Sequence, residues 1–155
     1  MNIRIITVGK TSQPFIREGL KLYLDRLSHY GSIELIELPV SAGKATSPEA
    51  QVDKESGAIT RAIKPSDYAV MCHDTGKEMN SEEFATWMQK KMNSGTKCLS
   101  FIIGGAYGVN SEVRQRANES LSFSRMTFTH DMIRLVLAEQ LYRAHTILKG
   151  EKYHH

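Results

Sequence analysis

The sequence predicts an α/β fold in which helices cover both faces of a mostly parallel β-sheet. Short apolar runs, rich in β-branched residues, alternate with longer amphipathic stretches along the 155 residues. Because a helical stretch separates most successive runs, the strands are predicted to lie parallel to one another. Ligands bind beyond the carboxyl ends of the strands in such sheets, so we expect the functional site at that edge.

The first two elements are a predicted strand over residues 3–8, closed by Gly9, and a predicted helix over residues 13–30. The strand is a run of mostly β-branched residues. Apolar side chains recur at three- and four-residue spacing in the helix, which gives one buried stripe. We expect Thr11 or Ser12 to cap this helix and Pro14 to lie in its first turn.

A second strand is predicted over residues 33–38, where apolar and acidic residues alternate as in a strand at the edge of a sheet. Residues 39–47 then form a loop with no apolar anchor after Val40. Two interpretations of this loop remain open, a substrate-facing loop and a plain solvent-exposed loop. Pro48 is expected to open a helix that reaches residue 63.

The middle of the chain predicts a strand over residues 68–73, a turn over residues 74–77 and a helix that ends near residue 92. Asn80 and Glu83 form a capping-box pattern at the start of that helix. A fourth strand is predicted over residues 98–103. A glycine-rich turn follows it at residues 104–108. Two interpretations remain open, a tight turn into the next helix and a close approach of the backbone to a ligand, which glycine permits because it has no Cβ.

The last quarter predicts a short helix over residues 111–117, a strand-like run over residues 124–128 and a long helix over residues 130–148. Lys149 and Gly150 close the long helix. Its apolar side chains occupy more than one face. We therefore expect one face to pack on the sheet and another to meet a second subunit in a homodimer.

Composition limits the possible partners and locations. The formal net charge of +3 is too small to require nucleic acid, and no apolar stretch approaches the ~18 residues of a membrane span. We find no export signal and expect a cytoplasmic protein. Cys72 and Cys98 lie in apolar runs and are expected to be buried thiols rather than a disulfide or a metal site.

Several kinds of chemistry are excluded by missing motifs. Gly76-Lys77 lacks the flanking residues of a phosphate-binding loop, and no GxSxG nucleophile elbow is present. The six histidines show no zinc-binding spacing, so we expect no metal. Asp74 follows a strand as in phospho-receiver modules, but Val8-Gly9-Lys10 supplies none of the carboxylates that would hold Mg²⁺.

The most informative residues lie in the last third of the chain and at its beginning. These are residues 102–105, 121–130, 134, 139–144 and 153–155, together with residues 8–10. In combination they closely resemble the RlmH (YbeA-type) family of SPOUT-class methyltransferases, which act on a pseudouridine in bacterial large-subunit ribosomal RNA. The resemblance runs over the whole chain.

This resemblance implies a single domain over residues 1–155 whose C-terminal part is threaded into a deep trefoil knot. It also implies S-adenosylmethionine as cofactor, N3-methylpseudouridine as product, ribosomal RNA on the assembled ribosome as partner, and a homodimer. One subunit's tail, residues 151–155, is expected at the other's cofactor site. By position, the cofactor would be bound by Cys72, Gly104, Phe123, Ser124, Arg125, Met126, Thr127 and Phe128.

Further roles are suggested by the chemistry of residues near the two ends of the chain. His154 is the first candidate for the general base, since its natural pKa lies near neutral pH, and Tyr153 would position the target base. The alternative is a disordered tail without function. The candidates for RNA contact are Arg134, Arg143, His155 and Lys10. Dimer salt bridges are an equal alternative for the two arginines, and a solvated helix face is the alternative for a strip of Lys10, Arg17 and Lys21.

The sequence departs from the family pattern at four positions. Cys72 stands where leucine is usual, His73 where an acidic residue is frequent, Thr129 where proline is usual, and His155 where lysine or arginine is common. We expect Thr129 to cap the last helix. Two other functions remain open, a non-catalytic module that binds RNA or the ribosome, and a methyltransferase of the same fold that acts on a small molecule.

Overall fold

The fold is described from a computed structural model, which describes residues 1–39 and 47–153. Five strands form one parallel sheet in the order β2-β1-β4-β3-β5. The strands are β1 (Asn2–Val8), β2 (Ile33–Leu38), β3 (Tyr68–Glu78), β4 (Cys98–Ile103) and β5 (Glu119–Ser122). The helices are α1 (Pro14–Leu27), α2 (Pro48–Ala62), α3 (Ser81–Asn93), α4 (Ser111–Arg116) and α5 (His130–Lys149). The predicted α/β class and the edge position of the second strand are confirmed.

Side chains on the two faces of the sheet enter two separate cores. Ile5 and Phe101 belong to the larger core, which includes residues of α1, α3 and α5. Ile6 and Ile102, the next residues along their strands, belong to the smaller core with residues of α2 and α4. Alternate residues of a strand point to opposite faces, so this division confirms helices on both sides of the sheet.

The predicted helix caps are confirmed at two positions and wrong at one. Asn80 and Glu83 form the capping box of α3, and Thr129 Oγ1 accepts a hydrogen bond from the Met132 amide at the start of α5. Neither Thr11 nor Ser12 caps α1. Their hydroxyl groups donate instead to carboxylates of Glu37 and Asp131, so tertiary contacts replace the local cap.

Two predicted strand boundaries are wrong. The run at residues 124–128 is not a strand, because the ladder between β3 and β5 ends at the pair Glu78 and Ser122. A strand needs a neighbour for its backbone hydrogen bonds, and residues 124–128 pair with none of the described strands. The segment at residues 74–77 lies within β3, whose pairing with β5 shifts register between Cys72 and Lys77.

The long helix α5 packs against α1 and α3. On α1, Phe15 and Leu22 are exposed large apolar side chains, seven positions apart and therefore on one face of the helix. The homodimer and the knot stay predictions. No helix in the described ranges is long and apolar enough to cross a membrane.

Candidate functional site

A cavity of about 240 Å³ opens at the carboxyl end of β4 and beside the part of β3 where its pairing with β4 ends, at the edge where the sequence predicts the functional site. We call it the glycine-turn cavity. Its walls are these parts of the two strands, the turn at residues 104–108, the loop at residues 122–128 and the start of α5. Of the eight predicted cofactor-binding residues, the structure brings seven together here: Cys72, Gly104, Phe123, Ser124, Met126, Thr127 and Phe128.

The eighth predicted residue, Arg125, does not line the glycine-turn cavity. Its side chain is 86% exposed and lies 3.8 Å from the Glu78 carboxylate. In this conformation Arg125 points away from the cavity that the neighbouring residues of its loop enclose.

The turn after β4 is tight because it is built from glycines. The Gly108 amide donates a 3.0 Å hydrogen bond to the Gly105 carbonyl, and Gly108 has a φ of 81°, which side chains other than glycine rarely adopt. A Cβ on Gly104 would lie 3.0 Å from a methyl carbon of Val109. The turn therefore presents backbone rather than side chains to the cavity.

The loop between β5 and α5 is held by its own serines. Ser122 Oγ donates to the Ser124 carbonyl at 3.0 Å, and Ser124 Oγ accepts from the Met126 amide at 2.9 Å. Met126 itself is 77% exposed. An ordered backbone that carries an unpacked thioether is suited to contact a ligand, because little internal packing is lost when the side chain closes over it.

The cavity offers apolar walls and one acidic side chain. Burial raises the pKa of the Cys72 thiol to about 12, so this group is a neutral, packing wall rather than a nucleophile. His73 Nδ1 lies 2.9 Å from the Asp74 carboxylate at the rim. Aromatic rings at Phe123 and Phe128 add flat apolar surface. Such a lining suits a ligand with a planar ring and a positive charge.

Arg134 is not available to RNA phosphate, which corrects one of the predicted contacts. Its side chain is 1% exposed. Its guanidinium donates to the carbonyls of Val8 at 2.7 Å and Gly9 at 3.1 Å. Burial lowers its pKa, partly offset by the charges of Asp131 and Glu37. Arg134 therefore joins the end of β1 to the start of α5 inside the protein.

Tyr153 lies away from the glycine-turn cavity of its own chain. Its hydroxyl group donates to Glu139 at 3.2 Å and lies 3.1 Å from the Tyr23 hydroxyl. Glu139 is about 14 Å further along α5 than His130, which lines the cavity. The two other predicted tail residues, His154 and His155, lie outside the described residues, as does most of the predicted loop at 39–47.

The remaining candidates for RNA contact are separated in the structure. Arg143 forms an ion pair with Glu139, and its guanidinium lies 4.8 Å from the centre of the Tyr153 ring. Lys10 is exposed at the end of β1, and it lines one cavity of about 600 Å³ together with Arg17 and Lys21. The structure thus brings the predicted basic strip together.

A second cavity, of about 550 Å³, adjoins the first and was missed by the sequence analysis. Gly105, Ala106 and His130 line both cavities. The second cavity also contains Glu55, a buried acidic residue of α2. Its position four residues before the buried Ile59 is a helical spacing that could have marked Glu55 as inward-facing. No group of three or more potential metal ligands occurs in the described ranges.

Comparison with known proteins gives consistent matches over the whole chain. A family model described as predicted SPOUT methyltransferase matches residues 1–154. The ribosomal RNA large subunit methyltransferase H of Christiangramia forsetii is 43% identical over 156 residues, which cover 100% of this chain and 99% of that protein. The protein of the same name from Bacillus thuringiensis is 42% identical over 158 residues, 99% of each chain.

One solved structure with the same fold is the tRNA (m1G37) methyltransferase from Aquifex aeolicus. It superposes with a TM-score of 0.53 and 14% sequence identity over 92% of this chain and 70% of that chain. At this identity the likeness concerns the fold alone.

Proposed function

We propose that this chain, which belongs to the SPOUT methyltransferase family, methylates large-subunit ribosomal RNA. The observation that carries the proposal is the full-length similarity, at 43% identity, to relatives named ribosomal RNA large subunit methyltransferase H. The glycine-turn cavity supports it, because seven residues expected to bind the cofactor line one space. We assign residues 1–155 to a single catalytic domain in the cytoplasm, where its ribosomal substrate is found.

S-adenosylmethionine is the methyl donor we assign to the glycine-turn cavity, and it supplies a methyl carbon activated by a sulfonium. The lining fits such a donor. Glycine backbone and the phenyl ring of Phe123 provide surface for a planar adenine, and the Asp74 carboxylate at the rim suits a positive charge. The Cys72 thiol is neutral and adds apolar surface to the wall.

The proposed target atom is N3 of a pseudouridine. The N3 imide carries a proton at neutral pH, so the protein must align this nitrogen with the methyl group and assist loss of its proton. His154 is our candidate for the base and Tyr153 for positioning the target base. Lys10, Arg17 and Lys21 would contact RNA phosphates, together with Arg143 and His155, while Arg134 is reserved for the interior.

We further propose a homodimer in which each tail completes the partner's site, and we expect the knot of the family. The location of Tyr153 supports this, because the residue lies beside Glu139 rather than at the cavity of its own chain.

The test is transfer of a labelled methyl group from S-adenosylmethionine to three substrates, namely assembled ribosomes, isolated large subunits and free ribosomal RNA. Ribosomes must come from a strain that lacks the modification. We expect label in large-subunit RNA of the assembled ribosome, and digestion to nucleosides should place it on N3 of pseudouridine. Ribosome binding without any transfer would instead support a non-catalytic module, and label on another molecule would refute the proposed substrate.

A further inference from the structure

The second cavity, which we call the Glu55 cavity, has the size and position of a substrate pocket. Its volume of about 550 Å³ lies within the ~300–1,000 Å³ that is typical of ligand sites. It shares Gly105 and His130 with the glycine-turn cavity, so a ligand in one lies next to a ligand in the other. Lys10 also lines it, which connects it to the basic strip.

Glu55 brings an unused hydrogen-bond acceptor to this cavity. The residue is only 5% exposed, and its Oε1 accepts a 2.8 Å hydrogen bond from Gln51 Nε2. Its Oε2 is buried and has no hydrogen-bond partner in the described chain. Because an unsatisfied buried carboxylate oxygen costs free energy, its retention suggests that a donor arrives from outside the chain.

Gly105 allows this carboxylate to approach the turn between the two cavities. A Cβ built on Gly105 would lie 2.0 Å from Glu55 Oε2, which is far closer than any real contact. The φ of Gly105 is not positive, so its backbone conformation does not require glycine. The absence of a side chain at this position is therefore explained by the close carboxylate.

We propose that the Glu55 cavity binds the target base by the edge that distinguishes pseudouridine from uridine. Pseudouridine has an N1–H next to the C2 carbonyl, whereas N1 of uridine is bonded to the ribose. Glu55 Oε2 accepts the N1–H. Phe15 lines the cavity and is 60% exposed, so its ring is free to stack on the base. This inference rests on the proposed function and adds how the protein distinguishes pseudouridine from uridine.

The test compares methylation of ribosomes that carry pseudouridine at the target position with ribosomes that carry uridine there. For the wild-type protein we expect kcat/KM on pseudouridine to exceed that on uridine by about 10²-fold or more, because uridine leaves the buried carboxylate unpaired. Glu55→Leu removes the acceptor at similar volume. It should lower kcat/KM on pseudouridine to near the uridine value while the uridine value changes little.

Two further variants separate recognition from a structural role. Glu55→Gln retains an acceptor oxygen and should keep part of the preference, between wild type and Glu55→Leu. Asp53→Asn removes an exposed charge from the same helix and should keep the full preference. Affinity for S-adenosylmethionine, measured by calorimetry, should be the same in all of these proteins.

The outcomes distinguish this inference from the proposed function. If wild type transfers methyl to neither ribosome, the proposed function fails. If wild type transfers methyl but does not discriminate, or if Glu55→Leu lowers both substrates equally, the function stands and the assignment of Glu55 is overturned. Loss of S-adenosylmethionine binding in Glu55→Gln would also overturn it, since the carboxylate would then belong to the donor site.

Discussion

Arg134 Nη2 donates a 2.7 Å hydrogen bond to the carbonyl oxygen of Val8, the last residue of β1. The two residues are 126 positions apart in the chain. Thr11 Oγ1 accepts from the same guanidinium at 3.0 Å, and the carboxylates of Asp131 and Glu37 lie within 3.7 Å of it. One buried cation therefore joins β1, the loop after it, β2 and α5 beneath the Glu55 cavity.

We predict that Arg134→Met destabilises the protein by about 3–5 kcal/mol, because it removes the guanidinium that donates to the Val8 and Gly9 carbonyls and the positive charge beside Asp131 and Glu37. The free energy of unfolding in urea measures the effect. Arg125→Met is the matched control. Its side chain is exposed and makes only a 3.8 Å ion pair, so the change should stay within ~0.5 kcal/mol. Equal stabilities of the two variants would show that the Arg134 contacts contribute little.

Local patterns in the sequence predicted the elements well, but not what they touch. The α3 capping box lies within a few residues of the chain and was predicted correctly. The role of Arg134 depends on residues more than 90 positions away. A signal was present, since Arg134 shares a helical stripe with the buried Leu137 and Leu141, but the stripe cannot reveal its partners.

The errors in the C-terminal part have the same origin. The run at residues 124–128 has strand-like composition, yet β3 offers no further backbone groups beyond Glu78 for it to pair with. The place of Tyr153 against Tyr23 and Glu139 depends on how the tail turns back after Gly150, whose φ is 66°. The Glu55 cavity combines residues of four separate stretches of the chain, which no local pattern could predict.

We predict that Met126→Ala weakens binding of S-adenosylmethionine without affecting stability. Met126 is 77% exposed in the protein without ligand, so its truncation should change the free energy of unfolding by less than ~0.5 kcal/mol. When the side chain closes over the donor it buries apolar surface, and its loss should raise Kd about tenfold, or ~1.4 kcal/mol. Calorimetric titration measures Kd. An unchanged Kd would remove Met126 from the donor site.

A complementation experiment tests whether the tail acts on the partner's site. Thr127→Trp places a large ring in the glycine-turn cavity, from an exposed loop where folding should tolerate it. A second variant lacks residues 151–155. Each variant alone should be inactive. If subunits exchange freely, half of the dimers in an equal mixture are heterodimers with one intact site, so about a quarter of wild-type activity should return.

The same mixture would remain inactive if each tail served its own chain, since no subunit would then combine an open cavity with a tail. Size-exclusion chromatography with light scattering provides the control, because both variants must remain dimeric. Tyr153 lies beside Glu139 and away from the cavity of its own chain, so we expect the mixture to recover activity.

We predict energetic coupling between Gly105 and Glu55. The methyl carbon that Gly105→Ala adds would lie 2.0 Å from the present position of Glu55 Oε2, so the carboxylate must move. Because the backbone of Gly105 is not in a left-handed conformation, alanine adds no conformational strain. Gly105→Ala alone should therefore lose the preference for pseudouridine over uridine. In a Glu55→Ala background, where the preference is already absent, the same change should have little further effect on kcat/KM.

The double-mutant cycle on kcat/KM for pseudouridine should give a coupling of about 1–3 kcal/mol. Additive effects would mean that alanine at position 105 acts through the turn or the methyl donor, and that the closeness of the two residues does not contribute to recognition of the base.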